Sequence, residues 1–180
     1  MKNRLIICEG YDGSGKSTLA EAVAKKVGCL LFHFTWTPAL SGKAMEDYVN
    51  NVTTNLIQDM RRNPNTCIVL DRLPSISEKI YAPIMRPGQE ANLSYSERLW
   101  MQLDPLLILC SRDNPVEFHD QNRDEAHPYG KRAFAKVVKK YEALGKEWDA
   151  DMFLRDRIIR YHVNNVAPEG LDAWITEHLY

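Results

Sequence analysis

The 180-residue chain has no hydrophobic run approaching the length of a membrane-spanning helix, and Lys2 and Arg4 near its start are followed by only a short apolar stretch before Glu9. Neither a membrane span nor a secretory leader is expected, and the expectation is a cytoplasmic protein. Charge of one sign is also missing. Lys and Arg number 23 against 24 Asp and Glu, a net charge of −1, so no overall field draws the chain to nucleic acid and only a local patch could. Cysteine is sparse, and Cys8, Cys29, Cys67 and Cys110 lack the close pairing of a metal site. Each falls in a short apolar run, so all four are expected as reduced, buried, small hydrophobes. Repeats and low-complexity segments are absent. The remainder, 44% hydrophobic and 26% charged, is the composition of a globular domain with a core of its own.

Glycine is not abundant, yet three of the nine fall in "EGYDGSGKST", residues 9 to 18. Gly10, four residues, then Gly15-Lys16-Ser17 is the G-x-x-x-x-G-K-S/T spacing of a P-loop, in which glycines let consecutive N–H groups turn toward one anion. The bare pattern should arise by chance in roughly one chain in a hundred of this length. Its context makes chance a poor explanation. "RLIIC" before it reads as a strand, and Leu19, Val23 and Val27 after it read as a helix that ends in Lys25-Lys26 and Gly28. N–H groups from Gly13 through Ser14, Gly15 and Lys16 to Thr18 are expected to face a β-phosphate. Lys16 would bridge the β- and γ-phosphates, and the Ser17 hydroxyl would ligate Mg²⁺. The site expected is one for a nucleoside triphosphate, with ATP and Mg²⁺ as cofactors.

Strand and helix signals alternate onward. "CLLFHFT", "CIVLD", "LLILCS" and "RIIRYHV" read as further strands. Helices are expected from about Gly42 to Arg62, from near Ser75, from near Ser94, from about Tyr129 to Lys146, and over "EGLDAWITEHLY". Near-continuous apolar strands separated by helices imply a three-layer α/β fold, a five-stranded parallel sheet covered on both faces, as one domain over residues 1 to 180. Ligands then gather at the carboxyl ends of the strands, where Glu9, Asp71 and Arg112 fall. Asp71, ending the buried strand "CIVLD", suits a Mg²⁺ carboxylate. Arg72 beside it could fork onto a second phosphate.

Glu9-Gly10, Asp12-Gly13, Gly15-Lys16-Ser17-Thr18 and Asp71-Arg72 together resemble the thymidylate kinase branch of the nucleoside monophosphate kinases. The "DRLPSISEKIY" continuation is more similar to thymidylate-kinase-like enzymes encoded by bacteriophages than to cellular ones. The resemblance implies that Asp12 receives the deoxyribose 3′-hydroxyl and Arg72 the acceptor monophosphate. It also implies that residues 112 to 132 form a lid over ATP. That segment's polar, proline-containing composition reads as a mobile loop, with Arg112 toward the cofactor and Arg123 as a catalytic cation, Lys131 and Arg132 being further candidates.

Departures matter too. The cellular enzymes carry an aromatic and an arginine on the helix before the Asp-Arg strand; here Tyr48 can stack, but no arginine occurs until Arg61, so base recognition must differ. Asn51 or Asn55 could read a base edge or lie on the surface. Deoxynucleoside kinases resemble this fold but carry a glutamate just after the second strand, where this chain reads "HFTWTP". Ser75 with Glu78, and Ser94 with Glu97, have capping-box spacing. His33 reads as a packed strand residue near enough to a strand end to touch an acceptor; His119 and His127 lack metal-ligand spacing. Phe134, Val137, Val138, Tyr141 and Leu144 form a core stripe, leaving Lys136, Lys139 and Lys140 on a solvated face.

A phosphate acceptor is already ionised and needs no general base, whereas an alcohol benefits from one, which Asp12, Asp71 or Glu9 could supply. The expectation is an ATP- and Mg²⁺-dependent kinase of deoxynucleoside monophosphates. Two alternatives stay open: a phage kinase of hydroxymethyluracil in DNA, for which the basic helix would track phosphates, and a non-catalytic nucleotide-binding switch. DNA and a second copy of the chain stay open as partners.

Overall fold

The computed structural model describes residues 5–34, 41–122 and 130–180. The elements are β1 (Leu5–Glu9), α1 (Lys16–Val27), β2 (Leu30–His33), α2 (Gly42–Arg62), β3 (Ile68–Asp71), α3 (Pro74–Met85), α4 (Ser94–Met101), β4 (Leu106–Ser111), α5 (Pro115–Asn122), α6 (Lys131–Ala150), β5 (Ile158–His162) and α7 (Leu171–Leu179). All strand pairs are parallel, in the order β2-β3-β1-β4-β5. From β1 the sheet grows toward β3 and β2 on one side and toward β4 and β5 on the other. The carboxyl end of β1 is therefore the topological switch point, where a crevice opens for ligand.

The expected five-stranded, three-layer α/β fold is the one observed. β1 is buried at every position, as a central strand covered on both faces must be. Alternation sorts its side chains: Leu5 and Ile7 pack with Leu70, Trp100, Phe134 and Val137 under α4 and α6, while Ile6 and Cys8 pack with Leu19, Val23 and Ile175 of α1 and α7. The α6 stripe of Phe134, Val137, Val138 and Tyr141 is buried, with Lys136, Lys139 and Lys140 exposed. Among the described residues no helix is long and apolar enough to cross a membrane.

Several expectations need correction. The four cysteines are not all reduced: Cys29 and Cys67, which lead into the adjacent strands β2 and β3, form a disulfide with Cα atoms 4.7 Å apart. Cys8 and Cys110 remain free and buried, their thiols pushed up by desolvation. The bond spans a sequence separation of 38 and ties edge strand β2 to its neighbour. Reduction is expected to remove about 3–4 kcal/mol of stability and to lower the melting temperature by roughly 10 °C, a shift that a thermal melt with and without dithiothreitol reads directly.

Neither capping box forms. Pro74 takes the first position of α3, so Ser75 falls inside the helix, and Glu78 instead accepts the Ala91 N–H at 2.7 Å and pairs with Arg86. At α4 the Asn92 side-chain oxygen Oδ1 accepts the Ser94 N–H at 3.2 Å and the Ser94 hydroxyl at 2.7 Å, and Glu97 pairs with Lys79. The segment after β4 is not all loop, because Pro115 opens the eight-residue helix α5. The helix expected to end near Lys146 continues to Ala150 and buries Trp148.

Candidate active site

β1 delivers the chain into the loop 10–15, and α1 begins at Lys16. Glycine is required by geometry at Gly10, where a Cβ would lie 2.5 Å from the Cys110 carbonyl oxygen, and again at Gly13 and Gly15. Gly13 and Gly15 have φ of 79° and 81°, and a Cβ on Gly15 would lie 2.8 Å from Val163 Cγ2, one on Gly13 2.9 Å from the Phe118 ring. A side chain would be both strained and blocked. The Ser14 N–H donates to the Tyr11 carbonyl at 3.2 Å, while the Ser14 hydroxyl is buried without a hydrogen-bond partner among the described residues. N–H groups of the first turn of α1 have no intrahelical acceptor, and no side chain caps them. With the helix dipole behind them they form an anion site. Ser17 is half-buried in that turn and Thr18 exposed.

Lys16 is only 7% exposed. Burial lowers its ammonium below the usual lysine value, Arg72 adds to the depression, and Asp12, Asp71 and Glu9 oppose it. Its Nζ stands 3.9 Å from Asp12 Oδ1, the oxygen that also accepts from Arg72 Nη2. The expected neighbours Asp12, Lys16 and Arg72 are thus brought together from the loop, α1 and the end of β3. Arg72 has φ of 78°, the left-handed region that costs a residue with a side chain about 1–2 kcal/mol. Its N–H still donates to the Cys8 carbonyl at 3.0 Å. Its guanidinium lies within 3.4 Å of the hydroxyls of Ser77, Tyr81 and Tyr141 and over the Tyr81 ring. Burial holds the Tyr81 and Tyr141 hydroxyls well above the ordinary tyrosine value, so they stay neutral.

Glu9 is fully buried on the face opposite α1. One oxygen accepts the Leu73 N–H; the other accepts the Tyr141 hydroxyl at 3.0 Å and its neighbour Gly10 N–H at 3.3 Å. Desolvation raises its carboxyl above the usual range, against Arg72, the Leu73 N–H and Tyr141. Three donors, the Leu73 N–H, the Gly10 N–H and the Tyr141 hydroxyl, hold the buried carboxylate, an arrangement that suits an anchor of the loop.

Asp71 is buried at the end of β3 on the α1 face, with one oxygen, Oδ2, 3.1 Å from His33 Nδ1 and the other, Oδ1, without a hydrogen-bond partner among the described residues. A buried carboxylate oxygen left open beside a P-loop suits a divalent cation, and Asp71 and Ser17 are the residues that could hold Mg²⁺. His33 is thus no packed core residue: half of its side chain is exposed and it faces Asp71. No group of three or more His, Cys, Asp or Glu among the described residues forms a metal cluster of its own.

Arg112, just past β4, donates to the Gly13 carbonyl at 2.8 Å and lies over the Phe118 ring. Its backbone exchanges hydrogen bonds with the hydroxyl of Tyr11, buried inside the loop. Arg112 is therefore attached to the P-loop through both its side chain and its backbone. His119 is buried and stacked on Phe134 at 3.9 Å. Tyr48 belongs to a separate group on α2, packed with Met45, Val49, Phe34 and Leu93; Asn51 and Asn55 are exposed. Arg123, His127 and the middle of the expected lid lie outside the described residues, as does most of "HFTWTP". Sequence reasoning missed Tyr11, Tyr81 and Tyr141, whose hydroxyl partners come from distant elements, and the pairing of His33 with Asp71.

Compared by sequence, the chain matches no protein-family model and no curated protein. Compared by structure, it has the fold of the P-loop kinases. Within that class the likeness is to thymidylate kinases and deoxynucleoside kinases. A thymidylate kinase from Candida albicans is 19% identical with a TM-score of 0.63, over 97% of this chain and 90% of that one. The YorR protein of Bacillus subtilis, solved with phosphorylated GDP, is 13% identical with a TM-score of 0.66, over 96% and 94%. A deoxyadenosine kinase from M. mycoides, solved with dCMP and dCDP as products, is 16% identical with a TM-score of 0.58, over 97% and 98%.

Proposed function

We propose that the chain is an ATP- and Mg²⁺-dependent kinase of deoxynucleoside monophosphates, giving the diphosphate. The observation that carries the reading is the convergence of Asp12, Lys16 and Arg72 beside the open Oδ1 of Asp71 at the carboxyl ends of β1 and β3. Gluconate, nucleosides and nucleotides are all acceptors for kinases of related fold, so the fold leaves the acceptor open and these side chains argue for it.

In this reading the first turn of α1 and Lys16 hold the β- and γ-phosphates, and Ser17 and Asp71 hold Mg²⁺. The cation, when bound, neutralises charge developing on the transferred group. Arg72 leaves its ion pair with Asp12 to grip the acceptor phosphate, its fork steadied by Ser77, Tyr81 and Tyr141. Asp12, released, accepts the sugar 3′-hydroxyl. An acceptor phosphate oxygen attacks the γ-phosphorus in line and the β–γ bridging oxygen leaves with ADP. The attacking oxygen is already ionised, so no base is needed and Glu9 can remain structural. Arg112 and, from the expected lid, Arg123 act on the ATP side, with Tyr48 stacking on the acceptor base.

Arg72→Lys keeps the charge and loses the fork. It is expected to raise the acceptor KM about 10–100-fold with the KM for ATP unchanged, as steady-state kinetics at varied acceptor and varied ATP would measure. The deciding experiment is transfer of label from γ-labelled ATP to each deoxynucleoside monophosphate, each nucleoside, and duplex DNA with and without hydroxymethyluracil. Label on a free monophosphate is the expected result. Label on modified DNA alone would replace this reading with a DNA base kinase, and no label anywhere would leave a nucleotide-binding switch.

A further inference from the structure

β2 is an edge strand, separated from β1 by β3, and its pairing with β3 sets Leu30, Leu31, Phe32 and His33 opposite Ile68, Val69, Leu70 and Asp71. Strand alternation fixes which side chains share a face. Leu31 and Val69 pack in the cluster formed with α1, so His33 and Asp71, two residues further along each strand, face the α1 side as well. That is the side on which the P-loop helix begins. The Cys29–Cys67 bond lies one register step before Leu30 and Ile68 and closes the other end of the same strand pair, so β2 cannot slip against β3 and exchange His33 for a neighbour.

We propose that His33 is a positioning residue for the Asp71 carboxylate: its Nδ1, 3.1 Å from Oδ2, holds one oxygen and thereby aims the buried, unpartnered Oδ1 at a divalent cation. A carboxylate can only accept, so Nδ1 carries the hydrogen of this bond. The division of labour between the two oxygens is the point. Without a donor on Oδ2, the Asp71 side chain is free to rotate about its last torsion and present either oxygen, or neither, to the metal. With the donor in place one rotamer is selected before the cation arrives. Hydrogen bonds of this kind to metal ligands commonly contribute 10–100-fold in metal affinity. The inference rests on the reading of Asp71 as the metal carboxylate given under Proposed function.

The test separates the two claims by measuring metal binding without turnover. Mn²⁺, standing in for Mg²⁺, is titrated by electron paramagnetic resonance into the ternary complex with β,γ-imido-ATP for the wild type, His33→Ala, His33→Asn, Asp71→Asn and the double variant His33→Ala/Asp71→Asn. The ligand-free melting temperature of each confirms that it folds. His33→Ala is expected to weaken Mn²⁺ binding about 10–100-fold, and His33→Asn, whose amide N–H can reach the same oxygen, to recover most of the loss. In the Asp71→Asn background His33→Ala should change nothing further. Wild-type affinity in His33→Ala alongside a large loss in Asp71→Asn would overturn the inference and leave the role of Asp71 standing. A His33→Ala effect that persists without the Asp71 carboxylate, or an Asn variant as weak as Ala, would overturn it too. No loss in Asp71→Asn would remove the metal role of Asp71, and the inference with it.

Discussion

Lys16→Met is expected to lower phosphoryl transfer by about 10³-fold and, at the same time, to raise the melting temperature of the ligand-free protein at pH 7. The two effects have one cause. Lys16 is buried in a crevice shaped for an anion, and the cost of desolvating its ammonium, together with Arg72 nearby, outweighs the attraction of Asp12, Asp71 and Glu9. Its folded-state value is therefore lowered, and a depressed group of this kind contributes stability above the unfolded value near 10.4, which is lost as pH falls through the folded value. At neutral pH the buried charge is a net burden that only bound phosphate relieves. Methionine keeps the stem and removes the burden. The stability gap between variant and wild type should close as pH rises through the lowered value, a trend that differential scanning calorimetry across pH 7–10.5 resolves. A Met variant that melts lower than wild type at pH 7 would show that the three carboxylates outweigh desolvation, and activity retained within tenfold would remove Lys16 from the phosphate site.

Arg72 repeats this trade in the backbone. Its left-handed φ and the partial burial of its charge are unfavourable when taken alone, and they accompany a guanidinium turned toward Asp12. Strain and buried charge thus concentrate on the residues nearest the switch point of the sheet, while Ile6, Ile7, Val69 and Ile108 behind them are fully or almost fully buried apolar residues.

What could be read in the sequence was what depends on neighbours along the chain. The P-loop spacing, the apolar strands and the 21-residue helix from Gly42 to Arg62 are local patterns, and α2 has the limits its periodicity predicts. What could not be read depends on which elements become neighbours. Cys29 and Cys67 pair only because β3, rather than β1, lies beside β2. His33 looked like one more member of an aromatic strand until the register set it opposite Asp71. Tyr141 belonged to a correctly identified core stripe, yet its hydroxyl reaches Glu9, 132 residues earlier in the chain. Each capping box failed because its serine falls inside the helix rather than at its cap: Pro74 opens α3 ahead of Ser75, and α4 begins at Ser94 itself, which spacing alone does not reveal. α5 was missed because it is short and polar, and helices of that length owe their stability to tertiary packing rather than to propensity.

Glu9→Ala is expected to destabilise the fold by about 3–5 kcal/mol, because it strips the acceptor from the Leu73 N–H, the Gly10 N–H and the Tyr141 hydroxyl at once and leaves them buried. Glu9→Gln should be much milder, about 1–2 kcal/mol at low pH: its carbonyl oxygen can serve Leu73, and Tyr141 can turn its hydroxyl to accept from the amide, leaving only the long Gly10 contact unmade. The pH dependence tests the assignment. Burial raises the Glu9 carboxyl, so the folded protein holds that proton more tightly than the unfolded chain does. The stability this confers is fully present below the unfolded value near 4.3 and is lost as pH rises through the raised folded value. Glutamine cannot titrate, so the advantage of wild type over Glu9→Gln should be greatest in acid and should shrink across that interval. Melting temperatures of both proteins from pH 4 to 8 give the answer, and an advantage that instead grows with pH would mean that ionised Glu9 is held by Arg72, Leu73 and Tyr141 more strongly than burial opposes it. In either case kcat at saturating substrates should stay near wild type for Glu9→Gln. A collapse of kcat in a folded Gln variant would instead make Glu9 a participant in the chemistry and favour an alcohol acceptor that needs a base.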